Sequence, residues 1–192
     1  MVLTHTNRKG DTYYLHQSLK AKRRFFFSKN KDGKLVEKLP VGYEIYENPN
    51  GLVYLRKARP KIFSDEEIAT VERGMREYTD LEFYKIDVKG NTIIILLPLQ
   101  DVYAIREAVC LSNTKAPEEI TQILHNIITF APEMQLVLTD NEKRLFSLKR
   151  YCYRGPTGPW MTLASSSNLK SLVKKYFKHL KKESLFDLLS EF

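Results

Sequence analysis

Three turn signals, each placed between runs of β-prone residues, constrain the fold of this 192-residue chain more than any other feature. They are Asn48-Pro49-Asn50-Gly51, Lys89-Gly90-Asn91 and the polar residues 140–143. Glycine adopts positive φ angles without steric cost, so an Asn-Gly step that closes a short loop is typical of a β-hairpin. Strands that are joined by such short turns run antiparallel. The sequence therefore predicts a chain that contains several antiparallel hairpins.

Runs of β-branched and aromatic residues define the strands beside these turns. In the first third of the chain we expect about four strands in one antiparallel sheet, over residues 12–17, 23–28, 42–47 and 52–57. Further strands are predicted over residues 82–88, 92–97, 135–139, 144–148 and 160–163. Ile93 to Leu99 is the longest apolar run and contains Pro98. A membrane span requires about 20 apolar residues, so this run predicts a buried strand instead.

Helix signals fill the remaining segments, which are residues 65–78, 100–112, 117–130, 168–180 and 185–189. Ser64-Asp65-Glu66-Glu67 has the pattern of a capping box at the start of the first helix. Pro117 occupies a favourable first helical position, and Ser184 is expected to cap the last short helix. The clearest helix is that over 168–180, where apolar residues recur at i, i+3, i+4, i+7, i+8 and i+11.

These elements predict an α+β fold in which antiparallel β-hairpins pack with several helices. The N-terminal third is β-rich, and an amphipathic helix lies near the C-terminus. Two domain organisations stay open. In one, a β-rich segment over residues 1–60 precedes an α+β domain over residues 61–192, and in the other, residues 1–192 form a single domain.

Composition bounds the chemistry and the location of the protein. The first ten residues, MVLTHTNRKG, lack the apolar segment of a secretory signal, so a cytoplasmic protein without a membrane span is expected. Cys110 and Cys152 do not form a C-x-x-C pair, and the four histidines are scattered. This spacing indicates neither a zinc site nor a disulfide framework, and we expect no cofactor. The thiols are expected to be buried or unreactive, and the oligomeric state is left open.

Charge is distributed unevenly along a chain whose formal net charge is +8. Residues 1–62 carry 14 Lys and Arg against 5 Asp and Glu, residues 63–142 carry 6 against 15, and residues 143–192 carry 11 against 3. A basic–acidic–basic chain can present two positive surfaces to a polyanion such as a nucleic acid. Equally, the acidic middle can lie against the basic ends and neutralise them.

Two groups of cations are the candidate contacts for nucleic acid or another anion. The predicted C-terminal helix carries a basic stripe opposite its apolar stripe, and a basic loop precedes the predicted strand 23–28. The candidates are Lys20, Lys22, Arg23, Lys170, Lys174, Lys175, Lys178, Lys181 and Lys182. Each could neutralise one backbone phosphate. Attachment to an anionic membrane surface and a solvated face without any ligand are the alternatives.

The basic loop leads into Phe25, Phe26 and Phe27, which raises the possibility of an aromatic platform for single-stranded nucleic acid. In a strand, Phe25 and Phe27 point to one face and Phe26 points to the other. A platform needs its aromatic rings on one exposed face, so this division predicts that two of the rings belong to the core. The cations of the loop then stay as candidates.

Two further stretches are candidates for contact with a protein partner or a ligand. The first includes Tyr151, Tyr153, Arg154 and Trp160 around Gly-Pro steps, and such residues are frequent interface anchors. Alternatively, Trp160 pins this loop to the core. The second stretch is Leu39-Pro-Val-Gly-Tyr-Glu44 with the turn that follows it, which resembles the first hairpin of a WW module. Leu55 replaces a groove tyrosine and no later Trp-x-x-Pro exists, so peptide binding does not follow from the resemblance.

The chain as a whole resembles uncharacterised prokaryotic proteins, a resemblance that implies no activity. The first functional hypothesis is therefore a non-catalytic binding or accessory protein whose basic surfaces contact nucleic acid or another polyanion. The second is a protein–protein interaction module that uses the hairpins and the Trp160 loop. An enzyme ranks third, because no phosphate-binding Gly-x-x-x-x-Gly-Lys loop and no Gly-x-Ser-x-Gly elbow is present.

Overall fold

A computed structural model describes residues 2–18, 25–112, 117–152 and 158–188. Its helices and antiparallel strands confirm the predicted α+β class and the β-rich N-terminal region. The chain divides into two compact units. Unit 1 consists of Met1–Pro60 and Leu99–Thr129, and unit 2 consists of Lys61–Pro98 and Phe130–Phe192.

The strands of unit 1 are β1 (Thr4–Thr6), β2 (Thr12–Gln17), β3 (Phe25–Ser28), β4 (Tyr43–Glu47) and β5 (Val53–Lys57). β1, β2 and β3 form one antiparallel sheet with β2 in the middle, and β4 and β5 form a separate hairpin. The prediction of a single sheet in this region is therefore wrong. β1 is also missing from the prediction, because three residues with two threonines and a histidine carry too weak a strand signal on their own.

The β4–β5 turn forms where the Asn-Gly signal predicts it. Asn48 Oδ1 accepts hydrogen bonds from the amides of Asn50 and Leu52, at 3.0 and 2.9 Å. Gly51 has a φ angle of +81°, which is a left-handed conformation that side chains disfavour. The buried Asn7 donates from Nδ2 to the Gly51 carbonyl at 2.6 Å. The turn is thus held both by its own side chain and by the loop between β1 and β2.

The three phenylalanines of β3 separate between two faces, as the period of a strand requires. Phe26 pairs with His16 of β2, and the two rings stack with their centroids 5.2 Å apart. Phe26 is 42% exposed, while Phe25 and Phe27 on the other face are half-buried. Neither of the latter two rings is fully buried, so the prediction that they belong to the core is met only in part.

Unit 1 also contains two helices, α2 (Val102–Ser112) and α3 (Pro117–Ile127). Both predicted helices are confirmed, and α3 begins at Pro117 as expected, but α3 ends before residue 130. The Thr129 carbonyl accepts a hydrogen bond from the Leu99 amide at 2.9 Å, and the Thr129 amide donates to Gln100 Oε1 at 3.0 Å. These bonds take the backbone out of the helix before β8 begins.

Unit 2 is built on one antiparallel sheet with the strand order β10-β9-β8-β7-β6. Its strands are β6 (Lys85–Lys89), β7 (Thr92–Pro98), β8 (Phe130–Asp140), β9 (Leu145–Tyr151) and β10 (Trp160–Ser166). β7 lies between β6 and β8, so its apolar sequence occupies an interior strand, as predicted. One face of the sheet supplies the core through Ile93, Ile95, Leu97, Met134, Leu136, Leu138, Phe146 and Leu148.

Two helices of unit 2, α1 (Asp65–Tyr78) and α4 (Leu169–Tyr176), contribute to the same core. The bounds of α1 match the prediction, and its N-terminus has the predicted capping box. α1 and α4 approach closely at Gly74, which is buried. A Cβ atom on Gly74 would lie 2.0 Å from Val173 Cγ1 and 3.4 Å from Phe177 Cδ2. Glycine at this position therefore sets the distance between the two helices.

The end of the C-terminal helix differs from the prediction. α4 ends at Tyr176, and the chain continues as a 3₁₀ turn over Phe177–His179. Lys181 follows with a φ angle of +62°, the left-handed conformation that often ends a helix but is usually taken by glycine. Because the sequence has a lysine there, it gives no stop signal.

The predicted last helix over residues 185–189 is also wrong. A 3₁₀ turn over Glu183–Leu185 takes its place, and residue 189 lies outside the described residues. Ser184 does not cap this turn. Its Oγ instead lies 2.9 Å from Nδ1 of His179.

A salt bridge between Glu67 and Arg144 joins the N-terminus of α1 to the β8–β9 turn. Ser64 and Glu67 form the capping box, and both oxygens of Glu67 accept hydrogen bonds from Arg144 Nη2 at 2.7 and 2.6 Å. Burial opposes the ionisation of Glu67, but the Arg144 guanidinium and the Ser64 amide outweigh it. The pKa of Glu67 is therefore lowered from its ordinary value.

This pair predicts a pH-dependent contribution to stability. A lowered pKa means that the contribution is complete above the ordinary Glu pKa of about 4.3 and is lost as the pH falls through the folded-state value. We expect Glu67→Gln to destabilise unit 2 by about 1–2 kcal/mol at pH 7, and the difference from wild type should vanish in acid. Urea unfolding at several pH values measures this difference in the free energy of unfolding. Glu66→Gln, at an exposed neighbour, is the control, and an equal effect of both substitutions would contradict the assignment.

Candidate functional site

The exposed side of the segment 169–182 carries six lysines and no acidic residue. On one side of α4 and its 3₁₀ turn, the side chains are buried in the core of unit 2: Leu169, Leu172, Val173, Tyr176, Phe177 and Leu180. On the other side, all the lysines are exposed: Lys170, Lys174, Lys175, Lys178, Lys181 and Lys182. We call this set the lysine face. The predicted opposition of an apolar and a basic stripe is confirmed.

No acidic residue occurs between positions 169 and 182, so this segment itself offers no carboxylate to the lysine face. Lys170, Lys174 and Lys178 form no ion pair with a carboxylate of the described residues. Lys175 Nζ lies 5.5 Å from the centroid of the Tyr176 ring, and Lys181 Nζ donates to the Pro98 carbonyl at 3.3 Å. A purely solubilising helix surface usually mixes both signs of charge. This face carries only one.

His179 lies within the lysine face, and its pKa reflects the positive potential there. Burial lowers the pKa of His179, and the neighbouring ammonium groups of Lys178 and Lys182 lower it further. The imidazole is therefore mostly neutral at pH 7, since its ordinary value is about 6.5. All the fixed positive charge of this surface comes from lysines.

The early end of α4 changes the shape of the predicted stripe. Lys170, Lys174 and Lys178 follow the helix and its 3₁₀ turn along one side. Lys181 and Lys182 follow the left-handed turn, so they do not continue the helical spacing. The lysine face thus consists of a linear row, of Lys175 beside this row, and of a separate pair at its end.

The basic loop of the N-terminal third cannot be placed beside this surface. Lys20, Lys22 and Arg23 lie outside the described residues. They stay candidate contacts on the basis of sequence.

Of the Trp160 stretch, residues 151–160, the structure describes only residues 151–152 and 158–160. Trp160 starts β10 and pairs with Tyr151 of β9, and their rings meet edge to face with centroids 5.2 Å apart. Both residues are half-buried, and the Cys152 amide donates to the Pro159 carbonyl at 2.7 Å, which extends the β9–β10 pairing. Tyr153 and Arg154 lie outside the described residues. The ring pair thus joins the ends of two strands.

The described residues include two cysteines, both of them without a disulfide. Cys110 is exposed and Cys152 is half-buried, and both are free thiols, so neither thiol is fully buried. No cluster of three or more His, Cys, Asp or Glu side chains in the described ranges is arranged to hold a metal ion. None of the described helices is long and apolar enough to span a membrane.

Two charged residues that the sequence did not single out lie close to the core of unit 2. Arg150 of β9 is only 7% exposed, and Glu133 of β8 is half-buried. Arg150 shares its strand face with Phe146 and Leu148, which belong to the core. The signal for Arg150 is present in the sequence, because period two in Phe146-Ser-Leu148-Lys-Arg150 places an arginine in line with core residues.

Comparison of the chain with protein-family models, with curated proteins and with solved structures finds no match.

Proposed function

We propose that the protein binds a polyanion, nucleic acid in the first place, through the lysine face. The observation that carries the proposal is the row Lys170, Lys174 and Lys178, which is exposed, forms no ion pair among the described residues and belongs to a segment without acidic residues. Each lysine that neutralises a phosphate releases a condensed counterion, and this release drives binding. The buried side of α4 holds the row on a fixed scaffold.

The composition of the face defines the kind of recognition. Lysine is a point charge without the planar fork of arginine, so a row of lysines is suited to backbone phosphates, whose contacts carry no sequence information. The segment 169–182 contains no arginine, and its aromatic residues Tyr176 and Phe177 are buried. Binding through this face is therefore independent of sequence. The buried apolar side also leaves nothing to insert into a bilayer, which favours nucleic acid over a membrane surface.

The first test is direct binding of a short labelled nucleic acid, single-stranded and duplex, RNA and DNA, measured by fluorescence anisotropy. At about 50 mM salt we expect dissociation constants in the micromolar range or below, similar for different base sequences, and a steep loss of affinity with salt. Comparing the four probes shows which polymer the protein prefers. Absence of binding at low salt to all four would overturn the proposal.

A second candidate function is contact with a partner protein through the β4–β5 hairpin. On one face of the hairpin the Tyr46 and Tyr54 rings stack at 6.4 Å, and the Arg56 guanidinium lies 4.0 Å from the centroid of Tyr46. Tyr54 is 44% exposed, and exposed Tyr and Arg are frequent interface anchors. A photo-cross-linking amino acid at position 54 tests this alternative. If the hairpin is the contact surface, the cross-linker should capture one partner protein, and Tyr46→Ala should abolish this capture.

A further inference from the structure

Phe26 places an exposed aromatic ring on the three-stranded sheet of unit 1. The residue is 42% exposed although it lies within β3. Its neighbours Phe25 and Phe27 point to the opposite face of the sheet, where Leu15 of β2 pairs with Phe27 and is fully buried. The face that carries Phe26 is therefore the outer face of this sheet, and the ring does not belong to the core.

His16 of β2 lies opposite Phe26 and supports its ring from one side. The two residues pair across the strands, and their rings stack with an interplanar angle of 14°. His16 is itself held by the segment that follows β3, because its Nε2 donates to the Asn30 carbonyl at 2.9 Å and its backbone bridges to Leu35. Only 3% of His16 is exposed. The Phe26 ring thus rests on an imidazole that is buried and held in place.

Tyr14 and Lys31 lie on the same outer face. Tyr14 pairs with Ser28, two residues after Phe26, so Tyr14 and Phe26 are diagonal neighbours about 7–8 Å apart. The Nζ atom of Lys31 lies 5.3 Å from the centroid of the Tyr14 ring. Lys31 is exposed and forms no ion pair with a carboxylate of the described residues. An exposed ring, a second ring beside it and a cation are therefore grouped on one face.

This combination suits an unpaired base together with its phosphate. Every base has a π face, so stacking on an aromatic side chain tolerates any base, and a nearby cation neutralises the backbone. Residues 28–35, which include Lys31, carry three lysines and one aspartate. In a duplex the bases are paired and stacked on one another, so only a single strand offers a free base to the Phe26 ring.

We propose that unit 1 binds single-stranded nucleic acid through a base that stacks on the Phe26 ring, on the side away from His16, while Lys31 contacts the phosphate backbone. We call Tyr14, His16, Phe26 and Lys31 the β2–β3 platform. The base continues a stack that already exists, so little side-chain freedom is lost on binding. The rings come from two adjacent strands, and the successive phenylalanines 25–27 therefore do not indicate the site by themselves. The platform shares no residue with the lysine face, so the inference does not rest on that face.

A tryptophan at position 26 observes the stacking directly. Trp160 is the only tryptophan of the chain, so the double variant Phe26→Trp, Trp160→Phe has a single indole, at the proposed site. Stacking of a base quenches indole fluorescence. We expect quenching at saturation with an oligothymidylate of about ten nucleotides, whereas an abasic oligomer with the same sugar–phosphate backbone should leave the emission nearly unchanged. Equal quenching by both oligomers would overturn the proposal, as would unchanged emission when anisotropy shows that the oligothymidylate is bound, or absence of its binding at low salt.

Phe26→Leu removes the π face and keeps an apolar side chain. It should weaken the binding of the oligothymidylate about tenfold and leave the binding of duplex DNA unchanged. The salt dependence of binding should stay that of wild type, because no charge is removed. Phe26→Tyr should bind as wild type does, since a tyrosine ring also stacks. Wild-type affinity of Phe26→Leu for the oligothymidylate would contradict the role of the ring.

Controls separate stacking from folding. Tyr103 of α2 is 74% exposed, and Tyr103→Leu should leave the affinity for the oligothymidylate unchanged. Thermal unfolding of each variant shows whether the fold is retained. If Phe26→Leu does not fold, the indole at position 26 still decides, because its ring preserves the stack with His16.

The β2–β3 platform and the lysine face can fail separately. The triple variant Lys170→Gln, Lys174→Gln and Lys178→Gln should bind the oligothymidylate more weakly, and the same substitutions should leave the quenching of the indole at saturation unchanged. Wild-type affinity of the triple variant, with quenching retained, would contradict the lysine face and support the platform. Weakened affinity of the triple variant, with no quenching by the bound oligomer, would contradict the platform and support the lysine face.

Discussion

Replacement of Gly74 by alanine should destabilise unit 2 by about 3 kcal/mol and lower its melting temperature by about 12–24 °C. In an ordinary helix interior the same change is stabilising by about 1 kcal/mol, because alanine has the higher helix propensity. Here the new Cβ would lie 2.0 Å from Val173 Cγ1, so α1 and α4 must move apart. Thermal unfolding followed by circular dichroism measures the effect.

A compensating substitution tests the cause. Val173→Ala removes the atom that the new Cβ would meet, so the double variant Gly74→Ala, Val173→Ala should be more stable than Gly74→Ala alone. Such non-additivity is the expected sign of two residues in direct contact. Arg73→Ala, at an exposed neighbour on α1, should change little. A Gly74→Ala protein as stable as wild type would contradict the packing of the two helices.

Neutralisation of the row Lys170, Lys174 and Lys178 by glutamine should weaken the binding of nucleic acid by a factor on the order of 10² at about 50 mM salt. All three side chains are exposed, so the fold should be retained. The loss has a physical basis in counterion release, since each lysine that no longer neutralises a phosphate leaves one counterion condensed on the polymer. Anisotropy titrations with one probe, together with unfolding curves, measure both properties.

A matched variant controls for net charge. Lys61→Gln, Lys143→Gln and Lys149→Gln also remove three positive charges from unit 2, but none of them belongs to the lysine face. This variant should bind nucleic acid nearly as wild type does. If both triple variants lose the same affinity, binding depends on total charge, and the assignment to the lysine face is wrong.

Local signals in the sequence predict most elements of the fold, because their physical causes are local. The Ser64–Glu67 capping box defines the start of α1, and Asn50-Gly51 defines a hairpin turn, since each satisfies its own backbone within a few residues. Elements that depend on contacts with residues far away in the sequence are not predicted. β1 exists through its pairing with β2, and α4 ends before Lys181 although no glycine marks the stop.

The candidate site divides in the same way. The lysine face follows from helical periodicity, because the apolar stripe that ends at Leu180 predicts which side of the segment is buried. The predicted strand 144–148 ends before Arg150, so the predicted strand pattern does not include this residue. The residues that contact or pair with Arg150, Phe186 and Met161, lie on other elements. Gly74 likewise gives no sign of the helix it touches, since Val173 is distant in the sequence.

The salt dependence of nucleic-acid binding tests the central claim most directly. For a single-stranded probe, the plot of log K against log salt concentration has a slope of about −0.7 for each phosphate neutralised. If Lys170, Lys174 and Lys178 contact phosphates, the triple glutamine variant should have a slope that is smaller in magnitude by about 2 than that of wild type. The matched variant with glutamine at positions 61, 143 and 149 should keep the wild-type slope. Equal slopes for wild type and the Lys170, Lys174 and Lys178 variant would contradict the proposed function.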